Sequence, residues 1–283
     1  MHPEDLVHIY KQVPFFPKRR LYRKAVMLAE KNRASRRPHK IGRIPVHGQR
    51  GVKLKLDLNV WLQRECFYFN SFELHVFKFI QSVLSEGDII IDVGANIGFS
   101  TAIASRLVGP RGHVFAFEPS SSFYDKLKQN VILNGANNVS TYKLAVGRDD
   151  SRQTLKSGDQ SASIVFGDTN NEQLTLETVD SVTLDQIFIQ YNVHVKLLKI
   201  DVDGWDYNVL LGASRLLLEQ RPIVIVEVID RGITQPSSIF SYLREHGYEI
   251  FSEQNTSDPL SASDFDKLLT KLHGLNIICQ PQS

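Results

Sequence analysis

The sequence predicts an open α/β sheet, mostly parallel, with helices on both faces. Three observations carry the prediction. The runs DIIIDV (88 to 93), VKLLKIDV (195 to 202) and PIVIVEVI (222 to 229) are nearly unbroken Val/Ile, the character of strands buried on both faces. Helical patterns follow these runs, so strand and helix alternate along the chain. A glycine-punctuated turn joins the first run to its helix, at the kind of connection where α/β sheets bind ligands.

In chain order, residues 1 to 60 differ in kind from the rest. They carry 15 Lys+Arg against 4 Asp+Glu, whereas residues 61 to 283 carry 18 against 27, so a net charge of +2 hides local charges of +11 and −9. Leu21, Ala25, Leu28 and Ala29 recur at helical spacing within FFPKRRLYRKAVMLAEKNRASRRPHK. Such a helix either docks on the main domain with its basic face solvated, or makes peripheral contact with an anionic membrane surface or an acidic partner. Residues 32 to 52, rich in Arg, Gly, His and Pro, read as a linker. Residues 1 to 60 are therefore a basic helical appendage and linker, and 61 to 283 the main domain.

After DIIIDV come a helix near 98 to 107, the strand HVFAFE (113 to 118), a helix over 120 to 135 and the strand VSTYKLAV (139 to 146). Between 147 and 194, SASIVF (161 to 166) and QLTLETV (173 to 179) predict a β-hairpin insertion over one edge. VKLLKIDV leads into a helix near 205 to 218, and PIVIVEVI into one near 236 to 246. GYEIFSE (247 to 253) and GLNIICQ (274 to 280) predict an antiparallel pair, the second a buried closing strand.

Composition excludes several classes. At 283 residues and 42% hydrophobic content the chain can bury a full core. Cys66 and Cys279 lack CxxC or Cys/His spacing, so neither a zinc site nor a disulfide framework is expected, and a reducing, cytoplasmic setting is the default. No stretch approaches the roughly 20 apolar residues that cross a bilayer, and no apolar signal-peptide core opens the chain. No nucleic-acid motif accompanies the basic charge. The oligomeric state is left open.

The glycine turn discriminates between cofactors. The dinucleotide fingerprint G-x-G-x-x-G would need glycine at 94, 96 and 99, where this chain has Gly94, Asn96 and Phe99. What fits is D-x-G-x-x-x-G, from Asp92, Gly94 and Gly98. A pyrophosphate wants bare backbone and a helix dipole. A carboxylate at a strand tip suits a cation instead, such as the α-ammonium group of S-adenosylmethionine (SAM). Glu118, 26 residues after Asp92 and at the tip of the neighbouring strand, can accept both ribose hydroxyls. Asp92, Gly94, Asn96, Gly98 and Glu118 thus outline a cofactor site. The plain alternative is that Asp92 caps the following helix and Glu118 is a solvated strand end. Ala145 and Val146 would end the third strand, either where an adenine ring lies or in ordinary edge packing.

LLKIDVDGWDYNVLLGA (197 to 213) brings two further carboxylates. In extended geometry Asp201 and Asp203 point to one face, shared with Lys199. Burying two carboxylates side by side is expensive without a cation or partner. The roles open to them are general base for an acceptor hydroxyl, hard-metal site or substrate orientation. The alternative is a turn at Asp203-Gly204 that caps the next helix.

With these motifs in order, the chain resembles the FkbM family of SAM-dependent methyltransferases. The resemblance runs from about residue 68 to 280 through DIIIDVGANIG, VFAFEPS, NVILNGANNV, LAVG, SVTLDQI, LLKIDVDGWDYNVLLGA, RPIVIVEV and the closing HGY and GLNIICQ. V-T-L-D near 182 to 185, K-I-D-V-D-G at 199 to 204 and P-x-x-x-x-E at 222 to 227 are its more specific parts. FYFNSFELHVFKFI (67 to 80) resembles the family's aromatic-glutamate segment, which implies that Glu73 lies near the cofactor pocket. The family commonly has Glu where Asp203 stands; the charge is kept and the reach shortened.

The resemblance implies a Rossmann-like class I methyltransferase sheet of seven strands, the last antiparallel, with SAM over the first two strand tips. It also implies methyl transfer to a hydroxyl of a sugar or of a glycosylated or polyketide-type natural product. Asp201 and Asp203 would handle that hydroxyl, Asp201 also lying beside the cofactor, with Lys199 and Glu227 orienting it. Whether Asp201, Asp203 and Glu227 hold Mg²⁺ stays open. The other readings are a non-catalytic SAM-binding module, or transfer to a carboxylate or a lipid-linked glycan. The broken fingerprint disfavours a nicotinamide-dependent oxidoreductase. His75 and His194 are left without a role.

Overall fold

The computed structural model describes residues 39–46, 48–69, 73–158, 162–164, 175–189, 193–229, 236–272 and 274–282. The basic helix expected around Leu21 to Ala29 lies outside the described residues. The chain divides into two compact units, Met1–Leu74 and His75–Ser283.

In the first unit, β1 (His39–Val46) and β2 (Gln49–Asp57) pair antiparallel and α1 (Trp61–Phe69) follows. Much of the expected linker is therefore a hairpin. A period-two alternation hides among its arginines and lysines, and it buries Ile44, Val46, Val52, Leu54 and Leu56. Pro45 falls where the register shifts between Ile44 and Val46, a place that tolerates a missing N–H. Gly48 turns the chain at φ 66. The residues that look like a linker are the hairpin's bulge and turn.

α2 (Leu74–Val83) begins at the last residue of the first unit and runs into the second, which continues through β3 (Ile89–Val93), α3 (Phe99–Val108), β4 (His113–Phe117), α4 (Ser121–Asn134) and β5 (Val139–Tyr142). Four short strands come next: β6 (Ala145–Val146), β7 (Ser151–Ser157), β8 (Ala162–Ile164) and β9 (Thr175–Val182). The rest of the chain forms α5 (Leu184–Ile189), β10 (Val195–Ile200), α6 (Asp206–Leu211), α7 (Ser214–Glu219), β11 (Ile223–Val228), α8 (Pro236–Glu245), β12 (Tyr248–Ser252), α9 (Ala262–Leu272) and β13 (Leu275–Pro281).

Seven strands form one sheet in the order β12-β13-β11-β10-β3-β4-β5. β13 is antiparallel to both its neighbours, and the pairings among β11, β10, β3, β4 and β5 are all parallel. The closing strand is thus interior, and β12 is the edge. Its Leu275, Ile277 and Cys279 join the large apolar core under the sheet.

Three expectations need correction. VSTYKLAV is not one strand: β5 ends at Tyr142, and Ala145 and Val146 pair in parallel with Ser181 and Val182 of β9. The insertion is not a hairpin of SASIVF with QLTLETV: β7, the polar SRQTLKS, lies between β8 and β9 and pairs antiparallel with both in a four-stranded sheet. A strand so polar gives no hydrophobic signal.

The single helix expected over 205 to 218 is broken around Gly212. A Cβ there would lie 1.9 Å from the Gly147 carbonyl oxygen, so only glycine allows the approach. Asp185 restarts the helix by accepting the N–H groups of Arg215 (3.0 Å) and Leu216 (2.9 Å). The aspartate of V-T-L-D thereby acts as a helix cap.

Candidate active site

Strand register assembles the site. Lys199 is level with Asp92 on β3 and Ile225 on β11, and Asp92 is level with Ala116 on β4. Two residues further along each strand, Asp201, Gly94, Glu118 and Glu227 come level at one sheet edge. The chain order changes direction on either side of β3, which makes this edge the crevice where α/β sheets take ligands.

The loop after β3 is held by backbone. The N–H groups of Gly94 and Ala95 both donate to the Phe117 carbonyl, and the Asp201 N–H donates to Val93 O at 3.0 Å. Gly94 has φ 80, and a Cβ on it would come within 1.9 Å of the Asp201 carbonyl oxygen. Gly98 has φ 86, and a Cβ there would press on Leu127 Cδ1 at 2.7 Å. Asn96 takes φ 51, a conformation that asparagine tolerates better than most side chains.

Two buried carboxylates face this loop. Asp92 is fully buried; its Oδ2 accepts the Thr101 hydroxyl at 2.6 Å, while its Oδ1 has no hydrogen-bond partner. Burial raises its pKa, against the opposing charge of Lys199. The idea that Asp92 caps the next helix finds no support in these bonds. Glu118 is 4% exposed, so it is not a solvated strand end. Its Oε2 accepts the Asn96 N–H at 2.8 Å and its Oε1 the Ser120 N–H at 2.9 Å. Burial pushes it up to about 7 despite those bonds.

At the neighbouring strand end, Lys199 Nζ lies 2.7 Å from Asp201 Oδ2. Burial alone would raise Asp201, but the ammonium, reinforced by the Glu227 carboxyl, holds it below the ordinary carboxylate range. Glu227 goes the other way: burial and the charge of Asp201 push it far up, so it faces Asp201 as a protonated acid. Asp203 does not share an extended face with Asp201. β10 ends at Ile200, and Asp203 and Gly204 take φ 54 and 99.

The residue that ties this turn is Asp206, which the sequence reading passed over. Its Oδ1 accepts the Val202 N–H at 3.2 Å and its Oδ2 the Gly204 N–H at 2.9 Å. Burial, then the charge of Asp201, raises it to about 7. An aspartate two residues after Gly204 in D-G-x-D is the signal that marks it.

The second unit therefore brings together Asp92, Gly94, Asn96, Gly98, Glu118, Lys199, Asp201, Asp203 and Glu227. Ala145 and Val146 sit buried in the other sheet, not at the tip of β5. Glu73 belongs to the first unit, at φ 40 immediately before α2.

The donor set does not fit Mg²⁺. Among the described residues no three His, Cys, Asp or Glu are arranged to hold a metal ion. Asp203 stands on a left-handed turn beyond the end of β10, and an ammonium already neutralises Asp201. The set does fit SAM: a buried carboxylate oxygen without a partner and a second carboxylate at the next strand tip flank a turn of left-handed backbone.

A seven-stranded sheet with an interior antiparallel closing strand and acids at adjacent strand tips defines a Rossmann-like methyltransferase fold. Residues 92–250 match the methyltransferase FkbM domain, and the chain belongs to that family of SAM-dependent methyltransferases. It is similar to the AMB antimetabolite synthetase AmbE of Pseudomonas aeruginosa, 27% identical over 71% of this chain, and spans only 11% of that protein. It is also similar to the hexuronic acid methyltransferase AglP of Haloferax volcanii, 24% identical over 55% of this chain and 62% of the relative. A crystal structure of methyltransferase FkbM from Methylobacillus flagellatus aligns over 78% of this chain and 52% of that one, at 18% identity and a TM-score of 0.48.

Proposed function

We propose that the protein is a SAM-dependent O-methyltransferase whose acceptor is a hydroxyl of a sugar or of a glycosylated or polyketide-type natural product. The observation that carries this reading is the register that puts Asp92, Glu118 and the Lys199–Asp201 pair at one sheet edge. When bound, SAM supplies an electrophilic methyl group on a sulfonium centre. Asp92 would hold the α-ammonium with its free oxygen, and Glu118 the ribose hydroxyls. Gly94, Asn96 and Gly98 would shape the backbone against the amino-acid end. Ala145 and Val146 would contribute from the insertion sheet, against the adenine.

The chain's own chemistry is positioning. Asp201, kept ionised by Lys199, accepts the hydrogen bond of the acceptor hydroxyl, and Asp203 stands on the same loop to take its proton. Lys199 and the protonated Glu227 fix the orientation of Asp201. A sugar acceptor agrees with the similarity to AglP, a hexuronic acid methyltransferase, and the many hydroxyls of a sugar suit a carboxylate-lined edge.

The test is a panel of acceptors followed by release of S-adenosylhomocysteine (SAH), beside calorimetry with SAM and with NAD. Transfer to a sugar hydroxyl supports the reading. SAM binding with no transfer to any acceptor would leave a SAM-binding module, and NAD binding would overturn the class.

The basic N-terminal stretch is proposed to touch an anionic membrane surface. Cosedimentation with anionic liposomes, comparing the full chain with one starting at His39, ahead of the β1–β2 hairpin, tests this; equal partitioning overturns it. No helix among the described residues is long and apolar enough to cross a membrane. Cys66 and Cys279 are buried free thiols, which agrees with the reducing, cytoplasmic setting proposed for the protein.

A further inference from the structure

The first residue of α4 is held by a side chain 56 positions away. Glu177, on β9 of the insertion sheet, accepts the Ser121 N–H at Oε2 (3.0 Å) and the Ser121 hydroxyl at Oε1. Lys143 Nζ pairs with the same carboxylate at 2.9 Å. The N-cap residue Ser120 makes no side-chain cap bond, so the insertion supplies the cap. Ser120 is also the residue whose N–H fixes Glu118 Oε1, and the other oxygen of Glu118 is fixed by Asn96 of the glycine loop. A continuous line of bonds thus runs from Lys143 through Glu177, Ser121, Ser120 and Glu118 to Asn96.

We propose that Glu177 is a positioning residue for the cofactor: it sets the start of α4, and through it the Glu118 carboxylate that would receive the ribose. The insertion sheet would then belong to the cofactor site. Burial alone would raise the Glu177 carboxyl, but its bonds to Ser121 and the Lys143 ammonium hold it below its ordinary value, so the cap stays charged. A negative charge at that end also suits the helix dipole.

This inference rests on the methyltransferase reading, and SAH affinity separates the two. SAH is titrated calorimetrically into the full-length protein and into Glu177→Ala and Glu177→Gln, and the melting temperature of each is recorded. Glu177→Ala is expected to bind SAH about fivefold to tenfold more weakly, the scale of losing one helix cap. Glu177→Gln keeps an acceptor for the Ser121 N–H, and a loss of about threefold is expected as the charge goes. Wild type binding SAH while both variants match its affinity overturns the inference, even if their melting temperatures fall, because Glu177 would then only hold the fold. Should Glu177→Ala fail to fold, Glu177→Gln decides, and an affinity equal to wild type overturns the proposal. No SAH binding by wild type overturns the methyltransferase reading and this inference with it.

Discussion

Lys199 buries its ammonium 2.7 Å from the carboxylate of Asp201, and only 3% of the lysine side chain is exposed. The lysine is the enclosed partner, while 26% of the Asp201 side chain reaches the sheet edge, so the carboxylate makes the ammonium's burial tolerable. Lys199→Met removes the cation and leaves Asp201, partly screened by solvent, beside Glu227. The expected cost is about 1–3 kcal/mol of folding stability, measured by urea denaturation. Combining it with Asp201→Asn should recover part of that loss, since no stranded charge remains.

Gly94 and Gly135 make a matched test of the loop. Both have positive φ, 80 and 60. A Cβ on Gly135 would meet nothing within 4 Å, whereas on Gly94 it would meet the Asp201 carbonyl at 1.9 Å. Gly135→Ala should cost about 1 kcal/mol, from backbone strain alone. Gly94→Ala should cost about 3 kcal/mol or more, because the loop and the end of β10 must separate. Equal costs would show that the approach of the two strand ends is not needed.

How much of this was legible in the sequence follows from where each signal lay. The main sheet was read from its Val/Ile runs, because strands buried on both faces leave an unambiguous apolar trace. The polar strand Ser151–Ser157 left none, since its pairing with Thr175–Val182 is a matter of backbone. The hairpin at His39–Asp57 was masked by Gly48 and Pro45, whose turn and bulge roles need the partner strand to be recognised. At the site, single acidic residues at strand tips were found because strand ends can be counted. Asp203 was misplaced by extending a strand that stops at Ile200, and Asp206 was passed over because its partners are backbone amides.

Methyl transfer should be indifferent to chelation. Lys199 supplies the positive charge next to Asp201 that a divalent cation would otherwise bring. Activity in EDTA is expected to equal activity with added Mg²⁺. A loss in chelator that Mg²⁺ restores would refute the assignment of Lys199.

Proton linkage gives the site a pH signature. Glu118 rises from 4.5 to about 7 and Asp206 from 3.8 to about 7, both through burial first. The folded protein therefore binds more protons than the unfolded chain between those limits, and the contribution is fully present below pH 4 and lost as pH rises through 7. His113, lowered by burial, acts in the opposite sense and loses stability as pH falls. The comparison must therefore be between variants. From pH 5 to pH 8 the ligand-free wild type should lose more stability than Glu118→Gln or Asp206→Asn, by on the order of 1–3 kcal/mol. Ligand binding should run the other way, because a ribose hydroxyl donates best to an ionised Glu118. SAH affinity should therefore rise about tenfold from pH 6 to pH 8 in the wild type, following the ionised fraction of a group with a pKa near 7, and stay nearly flat in Glu118→Gln. Calorimetric titrations at the two pH values measure both slopes, and parallel slopes in the two proteins would remove Glu118 from the ribose site.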